Sequence, residues 1–439
     1  MFAAVEETQG ITRFVTLDTA IAASAIFVIT YAIIASERIH KTVAALAGAA
    51  VMLIFGLITQ EQAFEHVDWN VIFLLFGMMI IAGAMRRSGV FQWLAIQSAK
   101  WTRGEPVRLM AVLLILTAIA SALLDNVTTV VLIGPITIFL ASRLQVSPIP
   151  FLIAEILASN IGGMATLIGD PPNLIVGSAA GFSFIDFLNH MLPVSLVLMV
   201  LLLVYAKVVF RKSIDVPPEQ RLELMQMDAK AAIVDPVLAR RSVIVLIVTI
   251  LAFVIHGFVH LEPATIAMAG AALLMVWGRL SPHESFEDVE WAGLFFFVGL
   301  FIVVGALLET GVVATLADQL ADWTGNDPLI TSVAMVWFAG IASGIIDNIP
   351  LAAAMVPIVH ELSAVMDVQP IWWSLALGAD LGGNLTAIGA SANVILISLA
   401  EREGHKITFR QFLVHGIPVT LVTLVVATFY VWGRYFLLA

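Results

Sequence analysis

Long apolar runs separated by short polar loops recur along the whole chain. Most are about 17–22 residues long, enough for a helix to cross the hydrocarbon core of a bilayer. They predict ten spans, at 18–35, 42–58, 70–86, 149–165, 190–210, 241–257, 264–280, 292–308, 370–386 and 415–435. Two further regions, 106–143 and 328–363, fit no single span. Each holds two apolar segments that meet at an Asp-Asn pair: Asp125-Asn126 in "LLDNVTTVVL" and Asp347-Asn348 in "IIDNIPLAAA". The pattern predicts an all-α polytopic membrane protein.

The pattern also repeats. "GAAVMLIFG" at Gly48 matches "GAALLMVWG" at Gly270, and Trp69 and Gly77 match Trp291 and Gly299. Gly89 matches Gly311, Asp125-Asn126 matches Asp347-Asn348, and Pro135 matches Pro357, all at an offset of 222 positions. Further on the offset becomes 220, where "GGMATLIGDPPN" (162–173) matches "GGNLTAIGASAN" (382–393). A constant offset over this many landmarks marks an internal duplication. The expected organisation is a first repeat over 18–212, with a hairpin at 106–143 and a broken helix at 149–181. A linker follows at 213–240. The second repeat covers 241–437, with a hairpin at 328–363 and a broken helix at 370–400.

Basic residues orient the chain, since cytoplasmic loops are enriched in Lys and Arg. Of the 21 Lys and Arg, all but Arg13 and Arg434 fall on one side of the expected bilayer. This holds only if each half has five full spans and 106–143 and 328–363 dip in and return. Five is odd, so the second repeat is inverted relative to the first. Hairpin one enters from the cytoplasm and hairpin two from outside. Both termini lie outside and the linker lies in the cytoplasm, most simply in a bacterial or archaeal inner membrane. The first 17 residues lack a basic segment followed by an apolar core, so the first span itself directs insertion. Segments 89–101 and 311–323 read as amphipathic arms that lie in the interface or pack on a neighbouring helix.

Composition narrows the function. Of 439 residues, 60% are hydrophobic and 12% charged, the net charge is −11, and there is no cysteine. Soluble domains carry about 25% charged residues. The acidic balance gives no footing for nucleic acid. The lack of cysteine removes disulfides and thiolate metal sites. No metal-ligand spacing links the histidines, and His190, His256, His260 and His360 read as interfacial. No cofactor motif and no HExxH or GxSxG is present. An intramembrane aspartyl protease built on Asp125 and Asp347 would lack a Gly-x-Gly-Asp context, and the duplication would have no role. The chain is expected not to be an enzyme.

Inverted repeats with helices interrupted at matching places are the sequence mark of a secondary transporter. Irregular backbone at membrane depth survives only where protein buries it or a wet cavity adjoins it. Asp or Asn at each hairpin tip suits the start of a half-helix, as does Pro350 just inside one. An acid at membrane depth is costly and reads as functional. The second pair of interruptions is "SNIGGMATLIGDPPN" and "ADLGGNLTAIGASAN". Paired glycines loosen the helix, and Asp170-Pro171-Pro172 breaks it. The resulting candidate binding residues are Asp125, Asn126, Thr128, Thr129, Asn160, Gly162, Gly163, Thr166, Gly169 and Asn173 in the first half. In the second they are Asp347, Asn348, Gly382, Gly383, Asn384, Thr386, Gly389, Ser391 and Asn393. Candidates for proton coupling are Asp125, Asp347, Asp170, Asp380 and Glu155. The repeat partner of Glu155 is Leu375, and Asp380 stands opposite Asn160.

On "LLDNVTTVVLIGPI", "SNIGGMATLIGDPPN", "IDNIPLAAAMVP" and "GGNLTAIGASANV" the chain resembles the ion transporter superfamily. Within it the resemblance is to the branch of the arsenite permeases, NhaD-type Na+/H+ antiporters and the P protein. The resemblance covers nearly the whole chain. It implies a scaffold of early spans, a mobile unit of hairpins and broken helices, and elevator-like alternating access. Dicarboxylate carriers of the wider superfamily have Ser-Asn-Thr at the tips, whereas here an aspartate stands at both, which disfavours citrate or succinate. The expected cargo is arsenite or antimonite, a neutral hydroxylated solute exchanged for protons. Asn126, Thr128, Thr166, Asn348, Asn384 and Thr386 would bind its hydroxyls. A Na+/H+ antiporter and an anion or organic acid carrier are the alternatives. Ala353 and Ala390 replace positions often polar in relatives, so the second half-site is expected to be less polar. The resemblance leaves room for a homodimer and for a soluble ATPase partner of unknown identity.

Overall fold

The computed structural model describes residues 17–36, 38–211, 214, 221, 225 and 228–437. Much of the expected linker at 213–240, and the segment before the first span, lie outside these. The described residues form helices and connecting turns. In the first half these are α1 (Leu17–Ser36), α2 (Lys41–Ile54), α3 (Gln60–Glu65), α4 (Trp69–Ser88) and α5 (Val90–Trp101). Then come α6 (Pro106–Leu123), α7 (Asn126–Arg143), α8 (Ile149–Gly163), α9 (Pro171–Ala180), α10 (Phe184–His190) and α11 (Leu192–Phe210). The second half has α12 (Pro236–Val259), α13 (Pro263–Gly278), α14 (Pro282–Glu287), α15 (Trp291–Glu309) and α16 (Val312–Thr324). It closes with α17 (Pro328–Ser343), α18 (Asn348–Leu362), α19 (Gln369–Gly382), α20 (Ser391–Arg402) and α21 (Phe409–Trp432).

Among the described residues, eight helices are long and apolar enough to cross a membrane. Their outward faces carry exposed apolar residues such as Val28, Ile29, Val200 and Phe258, the surface expected against lipid. Local sequence sets the ends. Asp68, Asp235 and Asp327 accept hydrogen bonds from the first free amides of α4, α12 and α17. The chain leaves α4 through Gly89, whose φ of 84° suits glycine. Four expected spans end early, α2 at Ile54, α8 at Gly163, α13 at Gly278 and α19 at Gly382. For α8 and α19 the reason is the Gly-Gly pair, which disfavours helix continuation.

Two groups of helices follow from the packing. In one, α2 lies on α15 and α4 on α13, with α1 on α2 and α12 on α13. In the other, α6 lies on α8, α17 on α19, α7 on α20 and α9 on α18. The contacts are reciprocal under the 222-residue offset. A Cβ on Gly77 would meet the Ala267 backbone at 2.6 Å, and one on Gly299 would meet that of Ala45 at 2.7 Å. Only glycine lets α4 and α13, and α15 and α2, approach so closely. The arms α5 and α16 pack against the hairpin helices α7 and α18.

A pair of clasps shows the same reciprocity with reversed charge. Arg86 and Arg87 each reach Asp288 at 2.5 Å. At the related positions His66 lies 3.0 Å from Glu309, which Gln62 also touches.

Candidate functional site

Four half-helices begin near one another in the core, α7, α18, α9 and α20. Helix N-termini carry partial positive charge and unpaired amides. The residues just before them are Asp125, Asp347, Asp170 and Ala390. Three of the four are acids.

The two tip aspartates act as caps. Asp125 accepts from the Thr128 amide at 2.7 Å and from the Thr128 hydroxyl at 2.6 Å. Asp347 accepts from the Ile349 amide at 3.1 Å through one oxygen. Its other oxygen accepts from the Ser391 hydroxyl at 2.5 Å and from Lys41 Nζ at 3.2 Å. Capping therefore falls to the aspartates, which leaves Asn126 and Asn348 free to point inward.

Both inward asparagines reach Asp170. Asn126 Nδ2 donates to one carboxylate oxygen at 2.8 Å, and Asn348 Nδ2 to the other at 3.1 Å. One carboxylate thus joins the tips of both hairpins. Asn126 also donates to Asn160 Oδ1 at 3.3 Å, and Asn160 Nδ2 reaches Asn384 Oδ1 at 3.0 Å and Asn393 Oδ1 at 3.1 Å. Asp170, Asn160, Asn173, Asp380, Asn384 and Asn393 are fully buried. Neither oxygen of Asp380 receives a hydrogen bond of good geometry, although the Asn173 amide lies beside it. Asp170 and Asp380 are close enough to repel each other when both are ionised. Lys41 is the one cation, among the described residues, in ion-pair contact with this group.

Other expected binding residues brace the backbone, and they do so symmetrically. Thr166 Oγ1 donates to Ala122 O, and Thr386 Oγ1 to Gly344 O, each at 2.6 Å. Ser121 Oγ donates to Ser159 O at 2.7 Å, and Ser343 Oγ to Ala379 O at 2.6 Å. Asn173 Nδ2 reaches Thr166 O at 3.0 Å, and Asn393 Nδ2 reaches Thr386 O at 3.0 Å. The threonine bonds satisfy carbonyls at the ends of α6 and α17, and the others satisfy carbonyls around the ends of α8 and α19, which would otherwise be costly at this depth. The glycines allow the close fit. Gly162 and Gly382 press on the backbones of Ala118 and Gly340, and Gly163 and Gly383 on Gly169 and Asp380. Thr129 is fully buried and its hydroxyl has no partner. Glu155 stands apart from the centre, with Thr137 donating to it at 2.5 Å.

Sequence reading does not single out Lys41 as a site residue, because it falls among the basic residues that orient the chain. Its signal is its place as the first residue of a membrane helix, where the repeat has Pro263.

Broken helices meeting at a buried polar centre, inside a bundle with apolar outer faces, define a membrane transporter. The chain belongs to the citrate transporter family of the ion transporter superfamily, whose family model matches residues 31–378. It is similar to a 46 kDa membrane protein of Mycobacterium leprae, 45% identical, with 94% of this chain and 98% of that one covered. A protein of Mycobacterium tuberculosis described as an uncharacterized transporter is 47% identical, with 95% of this chain and 99% of that one covered. The human P protein is 31% identical over 95% of this chain and 59% of its own length. Among solved structures, the Neisseria gonorrhoeae MtrF transporter aligns with a TM-score of 0.61 at 12% identity, covering 96% of each chain. The Alcanivorax borkumensis YdaH transporter aligns with a TM-score of 0.58 at 12% identity, covering 94% of this chain and 98% of that one. These two similarities concern the fold.

Proposed function

We propose that this protein is a secondary active transporter that exports a neutral, hydroxyl-bearing solute of the arsenite or antimonite type in exchange for protons. One observation carries the reading: the buried centre has more unpartnered acceptors than donors. Asn126 Oδ1, Asn173 Oδ1 and both oxygens of Asp380 lack a partner, against Asn384 Nδ2 and the Thr129 hydroxyl, which can donate or accept. Such a centre favours ligands that donate, namely protonated hydroxyls or cations. Arsenous acid brings three hydroxyls and no charge. The family's description names citrate, but a carboxylate would meet Asp125, Asp170 and Asp380, while the nearby Lys41 is already paired with Asp347. The same unpartnered oxygens favour a second reading, a Na+/H+ antiporter, since carbonyl and carboxylate oxygens are suited to sodium.

Movement would be of the elevator type. The α2/α4/α13/α15 group is the scaffold, and the hairpins with the broken helices are the moving unit. The reciprocal contacts at Gly77 and Gly299 support two repeats related by a pseudo-two-fold axis, inverted in the membrane as the basic loops require. In that frame the linker is cytoplasmic, both termini are outside, and Lys41 marks the cytoplasmic end of α2.

Proteoliposomes loaded with a pH-sensitive dye test this. Addition of arsenite or antimonite is expected to move protons, while sodium and citrate are not. Proton movement with sodium alone would establish the antiporter reading. Movement with citrate alone would overturn both.

A further inference from the structure

The Lys41–Asp347 contact joins the two helix groups. Lys41 opens α2 in the scaffold, and Asp347 caps α18 at the tip of the second hairpin. The ammonium is held like a bound ion. It lies 3.2 Å from Asp347 Oδ2, touches Ser391 Oγ, and sits 4.9 Å from the centre of the Phe296 ring. A carboxylate, a hydroxyl and an aromatic face are all cation ligands.

The arrangement has no counterpart in the other half. Under the repeat, Lys41 corresponds to Pro263, Ser391 to Pro171, and His40 to Glu262. Asp125, the counterpart of Asp347, is held by Thr128 alone among side chains. A cavity of about 310 Å³ adjoins the Lys41 pair and is lined also by Ile39, His40, Glu290 and Val394. A related cavity of about 410 Å³ on the opposite face is lined by Leu174, His256, Glu262 and Pro263. Leu174 and Val394 are repeat partners. The moving unit can therefore bring Asp347 against a lysine at one end of its travel only. At the other end the related scaffold position is a proline, which has no charge to offer.

We propose that Lys41 is a tethered cation that displaces the coupling cation, a proton or a sodium ion, from Asp347 on the cytoplasmic side. This rests on the elevator reading above. With the moving unit outward, Asp347 is away from Lys41 and takes up the cation from outside. As the unit arrives inward, the Lys41 ammonium pairs with the carboxylate and the cation leaves into the adjoining cavity. For a proton the step balances as a neutral acid plus an ammonium giving an ion pair plus a released proton. The lysine keeps its own proton throughout.

The charged and titratable groups facing Asp347 are few. Lys41 and His40 come from the start of α2, Glu290 from just before α15, and Asp170 lies deeper. His40 is engaged through Nδ1 by the Thr42 amide at 3.3 Å. Burial pushes the Glu290 carboxyl above the usual range, Lys41 pulls it down, and Asp125 pushes it up again. Glu290 thus also responds to the Lys41 ammonium.

The chain has no cysteine, so one introduced thiol is unique. Val394→Cys lines the cavity beside Lys41, and Leu174→Cys lines the opposite one. Each is reconstituted in oriented vesicles and labelled from either face with a membrane-impermeant maleimide, across a pH range and with or without sodium. Rates are corrected for intrinsic thiol ionisation using the denatured chain. The ion pair exists only when Asp347 is ionised, so cytoplasmic labelling at 394 is expected to rise with pH. Lys41→Gln and Asp347→Asn are each expected to lower it several-fold and flatten the profile, and together to add nothing further. The exchange Lys41→Asp with Asp347→Lys is expected to restore labelling, which it would not do if Lys41 acted through packing alone. Sodium at fixed alkaline pH lowers labelling if sodium is the coupling cation and leaves it unchanged if the proton is. If both thiols alternate between faces and Lys41→Gln changes nothing, the role of Lys41 is overturned while the elevator stands. If neither thiol changes accessibility under any condition, the elevator reading fails and the proposal with it.

Discussion

Replacing Asp170 by Asn separates what this carboxylate does for folding from what it does for transport. Asp170 accepts from Asn126 at 2.8 Å and from Asn348 at 3.1 Å, and it is fully buried. Hydrogen bonds to a charged group contribute about 1.5–3 kcal/mol each. An amide keeps one acceptor, so one bond survives in weaker form and the other becomes a donor–donor contact. The loss is about 2–4 kcal/mol on that scale. Against it stands the relief of burying a carboxylate without a cation, which is worth several kcal/mol. The two nearly cancel, so the melting midpoint of Asp170→Asn in detergent should stay within about 4 °C of the parent. Asp170→Ala has no such balance. It strands both asparagine amides, each at about 1–3 kcal/mol, and leaves a void. It should melt well below the Asn variant. In dye-loaded proteoliposomes, both variants should lose arsenite-driven proton movement. The reasoning is refuted if Asp170→Asn folds as well as the parent and still couples arsenite to protons with an unchanged pH profile.

Further predictions follow from the symmetric braces and close contacts. Thr166→Val and Thr386→Val each remove one 2.6 Å bond to a hairpin carbonyl. Each should lower stability by about 1 kcal/mol with little effect on the concentration of solute giving half-maximal transport; a large rise in that concentration would restore them as ligands. Gly77→Ala and Gly299→Ala drive a methyl into the Ala267 and Ala45 backbones at 2.6 and 2.7 Å. Both should cost at least about 1–3 kcal/mol and reduce yield to a similar extent, measured by fluorescence-detected size exclusion. Glu155→Gln keeps the Thr137 contact and lies apart from the asparagine cluster. Its proton coupling should match the parent within twofold, and a flattened pH profile would place Glu155 on the proton route.

The helices and their duplication were legible because the bilayer imposes a length and the repeat imposes an offset. The helix pairs at 106–143 and 328–363 were legible from the Asp-Asn interruptions, while their turning back within the bilayer is a reading from the basic loops alone. The division of labour among polar residues was not. Thr166, Thr386, Asn173 and Asn393 have the composition of a ligand shell, yet the structure directs their donors to backbone carbonyls, the threonines to the ends of α6 and α17 and the asparagines to the breaks after α8 and α19. Composition alone does not reveal which carbonyls need a partner. Asp170 was expected as an acid near a helix break. That it would bind both hairpin tips depends on α9 packing on α18 of the other half, a contact far apart in sequence. Lys41 was hidden for a related reason. A basic residue at a helix end is accounted for by topology, and only the fold brings it to Asp347, 306 residues away.

The position related to Asp170 by the repeat is Ala390. Two halves of similar shape therefore hold a junction that only one of them supplies. If the halves exchange roles as the elevator proposal requires, the two end states are not mirror copies of each other, because the bridging acid belongs to one half only. Under that proposal the empty carrier would have a resting side even with no gradient applied. A device of this kind rectifies: at equal concentrations it still moves solute at the same rate both ways, as equilibrium demands, yet it saturates at different concentrations from the two faces.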